Sequence, residues 1–378
     1  MPEYVDYRTY AFSVPTDSFV KLVIKEEQEV HISGWPSGTG NGSLPDALVR
    51  HINGKIKNED MKVRLFRLLI AIEETIKYDR TVSRSQGTTD DFRTLRVFVA
   101  PEFYFRPDML SKERGGSYKK AEVEALKGVL KEYFSSYEKW GPGREPLRNW
   151  MFVCGTCVFE EKPSISRRWR GDKNTLLAFT IDDKKNTKTH QVLKLAVANG
   201  DLVDPRYNLL TNKIEKSPGF VKEGLKDREK HYFREFGVFV EICLEHGLGL
   251  LMSMREKVNV GLHIVSAAGM YLQSDNIKDG SRAILCDGLR CREHNLMVYG
   301  AYKSELGAYK EYRAENTMVC AITTPWADLD TGRNYILKYY PGTDPKVMNV
   351  SRTAPNVYDL EPVTAYLQPT VFRLKNYE

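Results

Sequence analysis

The sequence predicts an α/β domain in which helices cover the sheet. Short apolar runs of strand length alternate along the chain with segments whose apolar residues recur at helical spacing. No composition shift, internal repeat or low-complexity block marks a boundary within the 378 residues. With 42% hydrophobic and 28% charged residues, the chain can bury a sizeable core without disulfides. We therefore expect one domain over 1–378, with an N-terminal extension of about 1–57 and a C-terminal tail of about 326–378.

The individual elements follow from the same periodicities. The stretch 1–60 indicates short strands and loops, and helical spacing predicts helices over 58–77 and 118–137. A charged segment over 221–229 has helical character, and a helix broken by glycine follows Cys243. Apolar runs predict strands at 95–100, 150–159, 174–181, 190–197, 236–242, 260–266, 295–302 and 317–323. The apolar pattern of the last 50 residues is less regular, and we expect them to form a tail that packs on a partner subunit.

Charge and cysteine content indicate a cytoplasmic protein that binds no nucleic acid. The 56 Lys and Arg residues exceed the 50 Asp and Glu residues by a net charge of +6. Because the basic residues mostly stand beside acidic ones, they are typical of solvated helix faces. The N-terminus lacks the basic start of a signal peptide, and no apolar run reaches the roughly 18 residues of a membrane span. Six cysteines in a chain of this length indicate reduced thiols.

A glutamate ends the first predicted buried strand. Glu102 follows the apolar run 95–100 and stands beside Phe103, Tyr104 and Phe105. A carboxylate at a strand end among aromatic groups is partly desolvated, which suits a general base. The alternative is an ordinary surface glutamate at the start of a loop. Glu102 is therefore a candidate catalytic base.

A cysteine stands at a predicted strand-to-helix turn. Cys243 follows the apolar run 236–242 and precedes Leu244. Such a turn exposes a side chain at the sheet edge and directs backbone N–H groups toward it, which favours a thiolate and forms part of an oxyanion hole. The alternative is a buried structural cysteine. Cys243 is therefore a candidate nucleophile.

A lysine lies within an apolar strand. Lys194 is flanked by Leu193 and Leu195 in the predicted strand 190–197. Burying an ammonium group is costly without a partner, so a carboxylate or a reacting group is expected beside it. The alternative is an edge strand whose lysine faces solvent.

Together these segments resemble the nitrilase (carbon–nitrogen hydrolase) superfamily. The matching pieces are 97–102, 193–195 and 237–245, in the family's order of Glu, Lys and Cys, and the resemblance covers roughly 60–325. The chain departs from the family around its lysine, where apolar residues stand in place of an arginine before it and a polar residue after it. Lys213 and Lys216 are therefore reserve candidates for the lysine.

The resemblance implies a four-layer αββα sandwich and hydrolysis of a C–N bond through a thioester. Cys243 would attack a small amide, nitrile or carbamoyl compound, and Glu102 would act as the general base. Lys194, with the backbone N–H of Leu244, would stabilise the oxyanion. The implied enzyme needs no metal and no cofactor, and it forms a homodimer or a larger homo-oligomer.

Three further residues are candidates for binding substrate. In the family a second glutamate helps to position substrate, and Glu215 and Glu223 stand in the matching interval. Arg106 follows the glutamate segment and is a candidate for binding a substrate carboxylate.

Other interpretations stay open. His246 stands three residues after Cys243 and could form a Cys–His pair of a papain-like enzyme or an acyltransferase. Cys154 and Cys157 form a CxxC, and with Cys286 and Cys291 they could bind zinc. Strand residues three apart point to opposite faces, however, which argues against one zinc ion binding both Cys154 and Cys157. An amide-forming acyltransferase, a catalytically silent scaffold, and a module that binds nucleic acid or protein are the remaining alternatives.

Overall fold

A computed structural model describes most of the first three quarters of the chain and several later strands. The described residues are 6–12, 44–85, 94–107, 117–141, 143–161, 169–196, 207–208, 213–214, 224–254, 258–270, 272–278, 281–288, 299–303, 309–313, 318–322, 338–340, 363–367 and 370–373. The α-helices are α1 (Asp46–Lys55), α2 (Glu59–Ser85), α3 (Lys120–Ser135), α4 (Leu244–Gly247) and α5 (Leu250–Ser253). Among these residues, no helix is long and apolar enough to cross a membrane.

The strands form two large sheets and one small one. In chain order they are β1 (Asp6–Ala11), β2 (Thr94–Val99), β3 (Tyr118–Lys119), β4 (Trp150–Glu161), β5 (Trp169–Ile181), β6 (Thr187–Leu193), β7 (Tyr207–Asn208), β8 (Lys213–Ile214), β9 (Tyr232–Phe233), β10 (Val238–Ile242), β11 (Leu262–Ala267), β12 (Arg282–Asp287), β13 (Tyr299–Lys303), β14 (Tyr309–Arg313), β15 (Met318–Ile322), β16 (Lys338–Tyr340), β17 (Val363–Leu367) and β18 (Thr370–Arg373). The first sheet has the order β18-β1-β2-β4-β5-β7-β8, with β3 beside β4 and β6 beside β5. The second has the order β14-β13-β12-β11-β10-β9, and the third the order β16-β15-β17.

The two large sheets pack face to face, and helices cover their outer faces. Val97 and Val153 of the first sheet meet Val240 and Ile264 of the second in one buried cluster. A second cluster joins α1, α2 and α3 to the outer face of the first sheet. A third joins α5 to Phe239 on the outer face of the second. This arrangement confirms the predicted four-layer αββα sandwich.

Parallel strands form the centre of both large sheets. β1, β2 and β4 run parallel to one another, and so do β10, β11 and β12. Both central triplets are buried, as expected for parallel strands covered on two faces. Within each triplet, the carboxyl ends of the strands lie at one edge of the sheet, and the segments carrying Glu102 and Cys243 begin at such ends.

Most of the predicted helices and strands agree with the structure, but α1 and β12 were not predicted and one predicted strand ends early. The stretch 1–60 was predicted without a helix, which was wrong because α1 buries Leu48 and Ile52 one turn apart. The strand predicted at 190–197 ends at Leu193, so Lys194 follows β6 instead of lying within it. The segment after Cys243 is helical and breaks as predicted, at Gly249, whose φ is +67°.

The predicted extension and tail both contribute strands. β1 and α1 lie within 1–57, and β1 pairs with β2 in the first sheet. β18 lies within the predicted tail and pairs with the other edge of β1. The division into one domain with an extension and a tail stays a prediction.

A bulge in β4 changes which way its cysteines point. The pairing of β4 with β5 shifts register between Val153 and Thr156, and Gly155 within the bulge has a φ of +78°. Cys154 and Cys157 consequently lie in the same buried cluster beneath α3, so the prediction that they face opposite sides was wrong. Cys286 lies in the cluster between the sheets, and Cys291 lies outside the described residues.

A buried acid ties α2 to the first sheet. The Asp79 carboxylate accepts hydrogen bonds from Arg8 and Tyr10 of β1 and from Arg96 of β2, each at 2.6 Å. Its side chain is 4% exposed. Burial, together with the neighbouring Asp79 carboxylate, raises the pKa of the Tyr10 hydroxyl. Two cations and one hydroxyl therefore depend on a single carboxylate.

We expect Asp79→Asn to lower the free energy of unfolding by about 3–5 kcal/mol, because it removes a buried negative charge that two guanidinium groups share. Chemical denaturation followed by circular dichroism measures this. The control is Glu235→Gln in the exposed Lys188–Glu235 pair, whose side chains are each 53% exposed. That change should cost less than about 1 kcal/mol. Equal effects of the two substitutions would contradict a stabilising role for the Asp79 network.

Candidate functional site

The segment carrying Glu102 is held tightly against the bulge of β4. Phe103 donates its backbone N–H to the Thr156 hydroxyl at 2.8 Å, and Phe105 donates to the Thr156 carbonyl at 2.9 Å. A Cβ atom at Gly155 would lie 2.6 Å from the Pro101 carbonyl oxygen. Only glycine permits this close approach, and its positive φ is one that other residues rarely adopt. The bulge therefore determines where Glu102 lies.

Glu102 forms a buried ion pair with Lys194. The Lys194 Nζ lies 2.7 Å from Glu102 Oε1, and the side chains are 1% and 0% exposed. Asn174 of β5 donates its side-chain Nδ2 to the same oxygen at 2.8 Å. The Asn174 carbonyl also accepts the backbone N–H of Lys194 at 2.9 Å. Three segments distant in sequence thus meet at one carboxylate oxygen.

Phe103 lies beside two cations. The Arg106 guanidinium carbon lies 4.5 Å from the centre of the Phe103 ring, and the Lys194 Nζ lies 5.6 Å from it. The negative face of an aromatic ring attracts cations at these distances. Phe103 has a φ of +59°, which is rare for an aromatic residue and turns the chain sharply after Glu102. Arg106 is 8% exposed and follows Glu102 by four residues in the sequence.

Cys243 lies at the end of β10 in a strained turn. Its φ of 49° and ψ of −107° lie outside the regions that non-glycine residues prefer. Its backbone N–H donates to the Ser266 carbonyl at 3.0 Å, and its carbonyl accepts the His246 N–H at 2.9 Å. The residue is 7% exposed, and Leu244 begins α4 immediately after it. The predicted strand-to-helix turn is therefore present, with a short helix.

Hydrogen bonds between the sheets connect the Cys243 turn to the Glu102 segment. Ser266 accepts the Cys243 N–H on its carbonyl, and its hydroxyl donates to the Ala100 carbonyl at 3.1 Å. Ala100 lies two residues before Glu102. The Cys286 thiol donates to the Val99 carbonyl at 3.4 Å. The carboxyl ends of β2 and β10 therefore meet across the interface of the sandwich.

A buried glutamate that sequence reasoning did not single out lies between Lys194 and Cys243. Glu245 Oε2 accepts the backbone N–H of Ile242 at 2.7 Å, and Glu245 Oε1 accepts the backbone N–H of Leu195. Its side chain is 0% exposed. Burial raises the pKa of Glu245, whereas the charges of His231 and Lys194 and the two N–H groups lower it. Its sequence signal was an acidic residue two positions after the cysteine and next to an apolar strand.

A second buried glutamate holds the other side of the turn. Glu241 Oε2 accepts hydrogen bonds from His246 Nδ1 and His263 Nε2, each at 2.7 Å, and Glu241 Oε1 accepts the Leu251 N–H at 2.7 Å. Burial alone would raise the pKa of Glu241, but the charge of His263 and the hydrogen bonds from both histidines hold it well below its usual value. This cluster joins β10, α4, α5 and β11 around Cys243.

The alternative of a Cys243–His246 catalytic pair conflicts with this geometry. His246 Nδ1 donates to Glu241, and His246 Nε2 accepts the Gln273 backbone N–H at 2.9 Å. Both ring nitrogens are therefore occupied away from the thiol. Burial lowers the pKa of His246 despite the hydrogen bond to Glu241. A neutral ring with its proton on Nδ1 satisfies both bonds.

The Glu241–His246–His263 cluster also contains the types of side chain that bind metals. Each of its three residues offers one atom that could bind a metal, and these atoms all lie within 4.8 Å of one another. However, a metal on His246 Nδ1 would move the ring proton to Nε2, where it would oppose the Gln273 N–H donor. The hydrogen bonds therefore favour a structural cluster. The predicted absence of a metal and of a cofactor stays a prediction.

The structure does not describe the side chains of the remaining predicted residues. Lys213 forms part of β8, but its side chain lies outside the described residues, as do Glu215, Lys216 and Glu223. Their predicted roles stay predictions. Of the lysines considered, Lys194 is the one whose described contacts reach Glu102.

Comparisons with known proteins give distant structural similarity. No protein-family model matches the chain, and no curated protein matches its sequence. The Nit3 protein of Saccharomyces cerevisiae, of branch 10 of the nitrilase superfamily, is 12% identical with a TM-score of 0.31, and the match covers 82% of this chain and 90% of that chain. An amidase from Nesterenkonia sp. is 9% identical with a TM-score of 0.34, covering 83% and 88%.

A carbon–nitrogen hydrolase from Helicobacter pylori is 10% identical with a TM-score of 0.30, covering 64% of this chain and 80% of that chain. Identities and TM-scores this low carry no argument about activity. The chemistry of this chain therefore rests on its own residues.

We expect iodoacetamide to alkylate Cys243 at least about 100-fold faster than Cys154 or Cys157 in the folded protein. Burial raises the pKa of both Cys154 and Cys157, which keeps them as unreactive thiols. Peptide mass spectrometry over about pH 5 to 9 measures each rate, and Glu102→Gln should slow the reaction at Cys243. Rates at Cys243 as low as those of the two buried thiols would contradict an activated nucleophile.

Acid should destabilise the protein partly through Glu241. Because its folded-state pKa lies below the usual value of 4.5, the unfolded state binds more protons in acid. This contribution to stability is present above pH 4.5 and is lost as the pH falls. We expect the free energy of unfolding to fall between about pH 5 and pH 3, and less steeply in Glu241→Gln. Glu138→Gln, on an exposed position, should keep the wild-type slope.

Proposed function

We propose that this chain is a cysteine hydrolase of the nitrilase type, acting on C–N bonds of small amides, nitriles or carbamoyl compounds. The observation that carries the proposal is the buried Glu102–Lys194 ion pair, with its 2.7 Å contact, which hydrogen bonds of Ser266 and Glu245 link to the Cys243 turn. A buried carboxylate, an ammonium and a thiol provide a base, an oxyanion partner and a nucleophile. The order of the three residues along the chain agrees with the resemblance found in the sequence.

In the first half of the proposed reaction, the thioester forms. Glu102 takes the proton of the Cys243 thiol, and the sulfur attacks the electrophilic carbon of the substrate. Negative charge develops on the substrate oxygen, where the Lys194 ammonium and the Leu244 backbone N–H stabilise it. Glu102 then gives its proton to the leaving nitrogen, which departs as ammonia or an amine. For a nitrile, the charge develops on nitrogen, and water is added before the nitrogen leaves.

In the second half, water releases the acid. Glu102, again unprotonated, removes a proton from a water molecule that attacks the thioester carbon. The second tetrahedral intermediate uses the same two donors, and the Cys243 sulfur departs and recovers the proton. No step requires an oxidant, a reductant or a metal ion.

The hydrogen bonds of Glu102 support its proposed role as a base of fixed position. Lys194 and Asn174 both donate to Oε1. They hold the carboxyl group in one orientation, and burial excludes bulk water that would weaken its charge interactions. A base held in this way transfers protons without first rearranging.

The same scaffold offers acyl transfer as a second candidate function. A thioester on Cys243 reacts with an amine as well as with water, and the outcome depends on which nucleophile reaches it. Hydroxylamine distinguishes a competent thioester from direct hydrolysis, because it converts the acyl group to a hydroxamate. A small-molecule substrate, a homodimer or larger assembly and a cytoplasmic location remain part of the proposal, as does the absence of nucleic-acid and membrane partners.

We expect Cys243→Ala to abolish ammonia release from a panel of small amides and nitriles, and Lys194→Ala to lower kcat/KM by at least about 100-fold. Intact-protein mass spectrometry should detect an acyl adduct on Cys243 during turnover. The matched control is Lys188→Ala, which removes an exposed lysine and should leave kcat/KM within about twofold. Activity that survives in Cys243→Ala would overturn the assignment. A wild-type protein that shows neither ammonia release nor hydroxamate across the panel would favour a silent scaffold.

A further inference from the structure

We infer that Glu245 is a positioning residue that holds Lys194 at a fixed distance from the Cys243 turn. The inference rests on the proposed function, because it assigns Lys194 and Cys243 to one reacting site. Glu245 itself is buried beneath the turn and is assigned no contact with substrate. Its task is to fix the separation of two groups that come from different layers of the sandwich.

The geometry of the two carboxylate oxygens carries the inference. Oε2 accepts the N–H of Ile242, the residue before the nucleophile, and Oε1 accepts the N–H of Leu195, the residue after the lysine. Leu195 and Glu245 lie 50 positions apart in the chain. The Glu245 side chain therefore joins the backbone next to Lys194 to the backbone next to Cys243.

The ion pair of Lys194 and its backbone hydrogen bond both attach it to the first sheet. Its backbone N–H binds the Asn174 carbonyl in β5, and its Nζ binds Glu102 after β2. Both contacts orient the lysine within the first sheet. Cys243 belongs to the second sheet, so sliding of one sheet past the other would separate the ammonium from the thiol. The Leu195–Glu245 hydrogen bond opposes that displacement.

An ionised carboxylate is the group that fits between these donors. Each oxygen faces a backbone N–H, so the unprotonated form satisfies both bonds. His231 Nδ1 lies 3.5 Å from Oε2 but makes its closer hydrogen bond, 2.8 Å, to the Val240 carbonyl. Glutamine at this position would present one oxygen and one NH₂ group, and the NH₂ would face an N–H donor. Glu245→Gln therefore breaks one attachment while keeping the size of the side chain.

Glu241 provides the comparison that separates positioning from general stability. It is also a fully buried carboxylate beside Cys243, but its partners are His246, His263 and the Leu251 N–H, all within the second sheet and its helices. Loss of Glu241 should disturb the turn without acting through Lys194. Loss of Glu245 should act mainly through Lys194.

A double-mutant cycle tests the difference. We would measure kcat, KM and the alkylation rate of Cys243 by iodoacetamide in wild type, Glu245→Gln, Lys194→Ala and the double variant. We expect Glu245→Gln to lower kcat by about 100-fold with KM changed less than about threefold, since small misplacements of a catalytic group have effects of this size. In the Lys194→Ala background, the same substitution should lower kcat by less than about threefold. The parallel cycle of Glu241→Gln with Lys194→Ala should be multiplicative.

Each outcome has a distinct meaning. Equal effects of Glu245→Gln in both backgrounds would overturn the inference and leave Glu245 as a structural residue. If wild type turns over no amide or nitrile, the proposed function fails, but the alkylation cycle still tests the coupling. A Cys243 reaction that is slower in Glu245→Gln, but is not slowed further by the same substitution in the Lys194→Ala background, supports positioning. Equal slowing in both backgrounds, or no slowing in Glu245→Gln itself, overturns it. If Glu245→Gln does not fold, Glu245→Asp keeps the charge with a side chain too short to bind both N–H groups, and it replaces Glu245→Gln in the same cycle.

Discussion

The buried ion pair between Lys194 and Glu102 is the interaction on which the site depends. Removing an ammonium and a carboxylate from water is costly, and their attraction offsets that cost only when other polar groups complete the arrangement. Here Asn174 donates to the carboxylate and accepts from the lysine backbone. Loss of Lys194 or of Glu102 removes a buried counter-charge from the other. The segments after β2 and β6 and the strand β5 therefore have to assemble together, which makes the arrangement specific.

The turn at Cys243 is strained, so it depends on the groups around it. A non-glycine residue with a φ of 49° and a ψ of −107° persists only where its surroundings hold it. The surroundings here are two buried carboxylates, Glu241 and Glu245, placed two residues before and two residues after the cysteine. Their acceptor oxygens bind Ile242, Leu251 and two histidines, so the chain cannot relax without leaving buried charges unsatisfied. The strain at Cys243 is thereby maintained by hydrogen bonding around it.

The sandwich explains how these two halves come to face one another. Each half begins at the carboxyl end of a parallel strand, where a chain leaving the sheet exposes its side chains. Packing the sheets face to face then brings β2 and β10 together, and Ser266 connects them by binding the backbones of Cys243 and Ala100. Gly155 adjusts the first half locally, because only a residue without Cβ lets the Glu102 segment lie against the bulge of β4. The site is thus built from general features of the fold and a few local exceptions.

Periodicity and strand length in the sequence determined most helices, two of the three strands in each parallel triplet and the positions of Glu102 and Cys243 at strand ends. These are local properties, since burying one face of an element imposes a spacing that can be read along the chain. The same reasoning failed at Cys154 and Cys157, where a bulge reversed the alternation, and it left open which groups His246 and Lys194 contact. Tertiary structure decided those points, because they depend on which donor meets which acceptor between segments far apart in sequence. Glu245 is the clearest case: beside Cys243 it is one acidic residue among many, and its partner Leu195 becomes its neighbour only when the two sheets pack together.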